Sequence, residues 1–347
     1  MNQKRFALLA VSVLVVIALV VLLVPRTGSG PGQAAGAAVL PGLDARVNDL
    51  DRISVSRAGG ETVTLVRGEN GWVVSELDGY PADWDDLRML LADLAQMTVT
   101  ETKTANPAYH SRLGVEDLSS EGAAGIRLDL HAGEDRWSLI VGNEAARQDG
   151  LYMRIADSDQ SVLADRVLDL PRDAVGWADD MILDVGPGLV AEVSIRHPDG
   201  EVVRVSKVSA DQPDFTLQTL PEGREPQSNF KVNSLANPFS MLRMEAVRKD
   251  PGPGDENVIT VKVVLFSGER YELQVFDWDD ERWLRIRREP GPEQAGAESP
   301  DEAAPEMDTP DWQGWVFQVS ENRFNLLASR VEDLLKPLDA NNDGGSQ

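Results

Sequence analysis

One order of elements is written twice along this chain of 347 residues, and the repetition limits the fold more than any other feature. A pattern that recurs must bury the same faces in the same way each time it appears. In the first copy Ile53 and Val55 lead to Ala58-Gly59-Gly60 and then to Val63 and Leu65. Alternation with a period of two, broken by a glycine turn, predicts a β-hairpin, and Trp72-Val73-Val74 adds a short third strand. The later copy reads Val193, Ile195, then Pro198-Asp199-Gly200, then Val202 to Val205, then Phe215 and Leu217.

Each hairpin is followed by a helical pattern. Leu87, Leu90, Leu91, Leu94 and Met97 form an apolar stripe that predicts an amphipathic helix over 82–96. Asp83, Asp85 and Asp86 fall in its first turn, where negative charge suits the helix dipole. A shift of 145 residues carries Leu87 onto Val232, Leu90 onto Leu235, Leu94 onto Phe239, Met97 onto Leu242 and Val99 onto Met244. Pro238 lies inside the second helix, which must therefore be shorter or kinked.

The remainder of each copy is strand-rich. Ile126 to Leu130, a turn at Gly133-Glu134-Asp135, and Trp137, Leu139 and Val141 correspond to Ile259 to Phe266, a turn at Ser267-Gly268-Glu269, and Tyr271, Leu273 and Val275. Leu151-Tyr152-Met153-Arg154-Ile155 then pairs with Arg282-Trp283-Leu284-Arg285-Ile286, aromatic to aromatic and arginine to arginine. Each copy is expected to end in a strand and a short helix, Ser161 to Leu163 with Asp165 to Leu170, and Gly314 to Val319 with Arg323 to Leu335. The expected class is α+β, with a first repeat over 46–185 and a second over 186–337, each a mainly antiparallel sheet with an amphipathic helix packed on it. The short turn at Ala156 to Gln160 corresponds to Glu289 to Asp311, which holds five prolines and eight acidic residues. Such a composition buries little apolar surface, so a disordered loop is expected over 289–311, and a disordered tail over 338–347.

Ahead of the repeats, Phe6 to Val24 contains no charge, and Ser12 is its only polar side chain. As a helix these residues span about 28 Å, close to the hydrocarbon thickness of a bilayer. Lys4 and Arg5 precede the run, and Arg26 is the only basic residue among the twenty that follow it. The positive-inside rule then puts residues 1–25 in the membrane with a cytoplasmic tip, and everything beyond outside the cytoplasm. A cleaved signal peptide is the competing reading, but the run is long for one, and Val24, Pro25 and Arg26 are poor neighbours for a cleavage site. Residues 26–45, rich in Gly, Ala and Pro at their start, are expected to form a flexible tether.

With anchor, hairpin and repeats in view, several stretches resemble a known family. Gly71-Trp72 with Tyr80-Pro81-Ala82-Asp83, Tyr109 to Val115, Gly150 to Ile155 and Trp177 to Val185 are similar to the family catalogued as domain of unknown function 4340. The likeness covers most of the chain beyond the anchor and is strongest from Ile53 to Val205. It implies a bacterial, envelope-associated protein of the kind often encoded beside ABC-transporter components linked to gliding motility. It carries no catalytic residue set.

Composition excludes several chemistries. With 33 basic against 58 acidic residues the net charge is −25, which is wrong for a nucleic-acid binder and for docking onto anionic lipid. There is no cysteine for a disulfide, a thiolate metal site or a lipid anchor. His110, His131 and His197 are far apart, which disfavours a zinc site or a histidine-based triad; His131 and His197 flank turns, where solvated histidines are ordinary. Ser228-Asn229-Phe230-Lys231 fits Ser-x-x-Lys, yet its companion motifs are absent, and the repeat places Ser228 near Asp83 at a helix start, where serine acts as a cap. Asp339, Asn341, Asp343 and Gly344 lack the closing carboxylate of a calcium loop. The run Asp277, Asp279, Asp280, Glu281 reads as a charged hairpin tip with at most weak divalent binding. Gly28 to Gly32 opens no βα unit that could cradle phosphate.

No catalytic, cofactor or metal residues are therefore assigned. Among the eight tryptophans, Trp72, Trp137 and Trp283 occupy core positions of strands, whereas Trp278 and Trp312 flank charged segments and are the expected exposed interaction residues. Arg154 and Arg285, recurring at equivalent places, read as ladder or ion-pair partners. The expected protein is a non-enzymatic, single-span component of the bacterial inner membrane that holds another envelope or transporter protein. A glycan- or peptidoglycan-binding module and a hydrolase working through paired carboxylates are the alternatives.

Overall fold

The computed structural model describes residues 34–60, 62–146, 149–252, 257–289 and 312–337. The apolar run Phe6 to Val24, nearly all of the expected loop at 289–311 and the tail at 338–347 lie outside the described residues. Among the described residues no helix is long and apolar enough to cross a membrane.

The period-two segments are strands. In the first half they are β1 (Arg52–Arg57), β2 (Thr62–Gly68), β3 (Gly71–Val74), β4 (Tyr80–Pro81), β5 (Val99–Thr102), β6 (Ile126–Ala132), β7 (Asp135–Glu144), β8 (Leu151–Ile155) and β9 (Ser161–Ala164). The second half has β10 (Met181–Leu183), β11 (Val190–Arg196), β12 (Val202–Ser206), β13 (Thr216–Leu217), β14 (Leu242–Arg243), β15 (Ala246–Lys249), β16 (Ile259–Leu265), β17 (Arg270–Trp278), β18 (Glu281–Glu289) and β19 (Trp315–Gln318). The fold is α+β, with mainly antiparallel sheets and few helices.

Strand order carries the repetition. One sheet runs β4-β3-β2-β1-β6-β7-β8-β9-β5 and the other β13-β12-β11-β16-β17-β18-β19-β15. With β4 set aside, every strand of one order has a counterpart at the same place in the other. Registers agree as well. Leu128 faces Leu139 across β6 and β7, Val261 faces Leu273 across β16 and β17, Arg154 faces Ile140, and Arg285 faces Gln274.

The predicted helix forms as Trp84–Gln96, with Leu87, Leu90, Leu91 and Leu94 buried. Asp83 caps it: its Oδ1 accepts the Asp86 N–H at 3.0 Å. In the second copy the corresponding stretch is a short α-helix, Asn229–Asn233, that tightens into a 3-10 helix, Ser234–Phe239, around Pro238. Proline has no N–H for an i−4 carbonyl, so the α-helix ends early while Val232, Leu235 and Phe239 still reach the core.

Three expectations need correction. The tether does not extend to residue 45, because Val39, Leu40 and Leu43 are buried and the Pro41 carbonyl accepts the Trp137 indole N–H at 3.1 Å. No helix forms over 165–170; the Asp165 carboxylate takes both the backbone N–H and the hydroxyl of Thr98, each at 2.8 Å, and these bonds tie down the start of an irregular connection. The last helical segment is two pieces, an α-helix Glu321–Leu327 and a 3-10 turn Glu332–Leu334.

By compactness the chain divides into two units. One comprises the described residues up to Leu50 with Val55–Gly60 and Met89–Asp169, and the other Asp51–Ser54, Glu61–Arg88 and the described residues from Leu170. The first is filled by Leu94, Met97, Leu128, Leu130, Leu139, Met153 and Leu163, all buried. The second is filled by Val193, Ile195, Val205, Val261, Val263, Leu273, Val275 and Ile286, with Phe276, Trp283 and Val316 as a further packed group. At about 1.5–3 kcal/mol per fully buried large apolar side chain, these faces are what holds the strands in register.

Candidate functional site

The polar side chains that sequence offers for chemistry are occupied by the fold. His110 is buried with Nε2 2.8 Å from the Asp159 carbonyl, and His197 is buried with Nε2 3.1 Å from the Ser329 carbonyl. A nitrogen beside a carbonyl oxygen carries the proton, so each ring donates. The expectation of a solvated His197 is thereby corrected: its partner comes from 132 residues further along the chain, which no local pattern reveals. His131 is half-buried on β6 opposite Arg136. Ser228 is a helix cap, its hydroxyl accepting the Lys231 backbone N–H at 3.2 Å.

The two recurring arginines are buried struts. Arg154 donates from Nε to the Val115 carbonyl at 2.7 Å, from Nη1 to the Ala156 and Ser158 carbonyls at 3.0 Å each, and from Nη2 to the Asp117 carboxylate. Arg285 donates from Nε and Nη2 to the two oxygens of Asp250, each at 2.6 Å, from Nη2 to the Gly252 carbonyl at 3.2 Å, and from Nη1 to Gln274 Oε1 at 3.1 Å. Asp117 and Asp250 each stand nine residues before their next strand, β6 and β16. The Arg285 guanidinium holds the Asp250 carboxyl below the ordinary carboxylate range, against the opposing effect of burial.

Of the two tryptophans expected to be exposed, Trp278 is half-buried, its ring 5.5 Å from that of Trp283. Trp312 is 6 % exposed; its indole N–H donates to the Ile182 carbonyl at 2.8 Å, and Tyr271 packs edge-on at 6.0 Å, so its expected exposure is corrected. Asp279 and Asp280 form the tip between β17 and β18 with φ of 57° and 62°, the left-handed pair that a two-residue hairpin turn requires. Among the described residues, this tip included, no three histidine or acidic side chains are placed to hold a metal ion.

Two of the concavities among the described residues are candidate sites. In the first unit a cavity of about 550 Å³ lies between the segment Val39 to Pro41 and the strands β7 to β9, lined in part by Arg136, Trp137, Asp157 and Gln160. In the second unit a groove of about 500 Å³ is lined by the hairpin 67–72, by Pro81 and Ala82, and by Trp84. The Ala82 N–H bonds to the Trp72 carbonyl at 2.9 Å, which brings the approach to the helix alongside β3, and Asp83 N–H bonds to the Trp177 carbonyl at 3.0 Å. Trp84 is consequently held at the helix start with half its surface exposed.

Residues 72–258 match the model of a family described as Domain of unknown function (DUF4340). No curated protein and no solved structure matches the chain. The matched segment begins at Trp72 on β3 and ends at Val258, one residue before β16, so it takes in the groove tryptophans, Arg154 with Asp117, and the Ser228 cap. As that segment is more than half of the sequence, the chain belongs to the domain of unknown function 4340 family.

Proposed function

We propose that this chain is a non-enzymatic, single-span protein of the bacterial inner membrane whose extracytoplasmic part, one α+β unit written twice, holds another envelope protein as an accessory component of an ABC-transporter or gliding-type assembly. The observation that carries this reading is the use made of the polar side chains. Arg154, Arg285, His110, His197 and Ser228 are each engaged in hydrogen bonds that hold strands, loops or helix ends, and so serve shape rather than turnover. Large apolar side chains at the surface support a binding role: Phe230 is 79 % exposed, and Trp84 and Met89 project from the helix Trp84–Gln96. The anchor rests on the uncharged run Phe6 to Val24 and on the basic residues before it.

Protease treatment of spheroplasts tests the topology. Digestion of the region beyond the anchor from outside, with the N-terminal tip protected, is the expected result. Protection of the whole chain, or a mature N-terminus beyond Val24, would overturn the anchor.

A further inference from the structure

We propose that the first unit rests on the bilayer that holds its anchor, through a patch around Met89 and Val167 that meets the head groups of zwitterionic phospholipid. The inference deepens the scaffold reading and rests on its membrane anchor. The chain joins the fold at one end of β5. Gly36, at φ of +83°, donates its N–H to the Val99 carbonyl at 2.8 Å, and Val99 donates in turn to the Ala37 carbonyl at 2.8 Å. This is a β-bulge of the kind that needs a glycine in the left-handed region. The Val39 N–H then bonds to the Met97 carbonyl at 3.0 Å, and Ala38 lies antiparallel to Thr98. Ten peptide units separate Ala34 from Val24, and even fully extended they reach no more than about 36 Å. The attachment point, unlike the far end of the unit, is thus confined to the neighbourhood of the bilayer.

The surface beside that point fits such a contact. Asp165 N–H donates to the Thr98 carbonyl at 3.1 Å, so β9 delivers Asp165 to Val167 at the end of β5 that receives the chain. Arg166 reaches Asp93 at 2.5 Å and Gln96 at 3.2 Å on the helix Trp84–Gln96, and the charges of Arg166 and Asp93 cancel. Beside this pair stand Val167, next in sequence, and Met89, one helical turn before Asp93, each about half exposed. With Tyr109 they are the exposed large apolar side chains among the described residues of this unit. Ala92 and Gln96, exposed on the same stripe as Met89, add no charge. Tyr109 belongs to the other end: Ser161, the first residue of β9, pairs with Thr104, about 17 Å along β5 from Val99. Two half-exposed side chains are a small contact for a free protein, but a tether this short supplies a local concentration roughly in the millimolar range. A protein partner can approach any face, whereas the length of the chain ties the bilayer to this one. Zwitterionic lipid is the fitting surface, because anionic head groups repel a chain of net charge −25.

The chain has no cysteine, so a single introduced one can carry a nitroxide. The test attaches it through Ala92→Cys, in the patch, or Ala108→Cys, at the far end, both exposed, in the full chain reconstituted into phosphatidylcholine vesicles. At position 92 collision with oxygen is expected to prevail over collision with an aqueous nickel chelate, and at 108 the reverse. Met89→Asp with Val167→Asp should turn position 92 aqueous, with unaltered melting as proof that the fold survives. Twenty Gly-Ser residues inserted after Gly32 triple the tether and should lower the ratio of docked to free units about fivefold. Phosphatidylglycerol vesicles at low salt should lower it as well. An aqueous position 92 in a chain that floats with the vesicles would overturn the proposal and leave the anchor standing. A lipid-exposed position 92 that persists in the double variant would overturn it too. Failure of the chain to float would overturn the anchor and the proposal together.

Discussion

Arg285 and Asp250 meet side by side, Nε to Oδ2 and Nη2 to Oδ1 each at 2.6 Å, at the place in one sheet that Arg154 and Asp117 hold in the other. The two pairs are not equally dependent on charge. The Asp250 side chain is 17 % exposed and supplies two of the bonds to Arg285, whereas that of Asp117 is 66 % exposed and Arg154 rests mainly on three carbonyls. Asp250→Asn should therefore cost about 3–5 kcal/mol, the price of leaving a buried cation without its partner. Asp117→Asn should cost less than about 1 kcal/mol. Urea unfolding of the two variants measures the difference, and equal losses would contradict the asymmetry.

Acid should act through the same carboxylate. Because Arg285 depresses the Asp250 pKa in the folded state, the stabilisation is fully present above the unfolded value of about 3.9 and is lost as pH falls through the folded one. Asp165 shifts the same way: burial opposes the shift, but hydrogen bonds from Thr98 outweigh it. Stability should fall below about pH 4 in the parent chain, and less steeply in Asp250→Asn, which has already lost this contribution. Thermal melts between neutral and acid pH provide the comparison.

The helix caps form a second recurring pair. Asp83 accepts from the N–H three residues on, and so does Ser228, which the shift of 145 residues places on the same position. Asp83→Ala and Ser228→Ala should each lower stability by about 1 kcal/mol. A fluorescent penicillin should label neither the parent nor Ser228→Ala; labelling that disappears in the variant would restore a nucleophilic role for the serine.

Trp312 is buried where its charged neighbours in sequence suggest exposure, whereas Trp84 is half exposed. Trp312→Ala empties a buried site and frees the Ile182 carbonyl, so a loss of about 3–5 kcal/mol is expected. Trp84→Ala, at an exposed position, should change stability by no more than about 0.5 kcal/mol. Denaturation midpoints of the two variants separate these outcomes.

What could be read from sequence follows the range of the interaction. Hairpins, the stripe of Leu87 to Leu94 and the shortening at Pro238 depend on neighbours within a few residues, and they stand in the fold where the pattern put them. Burial of His197 depends on Ser329 and that of Trp312 on Ile182 and Tyr271, partners that only tertiary folding supplies. The missing helix at 165–170 has a similar origin, since two hydrogen bonds from Thr98 override a weak local preference. Neither concavity is legible in sequence, because each joins separate short runs, 39–41 with 136–138 in one and 67–72 with Pro81, Ala82 and Trp84 in the other, that only tertiary folding brings together. The doublet of Gly71-Trp72 with Tyr80 to Asp83 was visible as a stretch, but its Trp84 neighbour carried no periodic signal.

The scaffold reading predicts a stoichiometric companion. The most direct measurement is affinity purification of the full chain from gently solubilised membranes, followed by native mass determination. The expected result is a complex containing an integral-membrane transporter subunit in fixed ratio, retained in Asp117→Asn. Recovery of the chain alone across several mild detergents and after cross-linking in intact cells would contradict it.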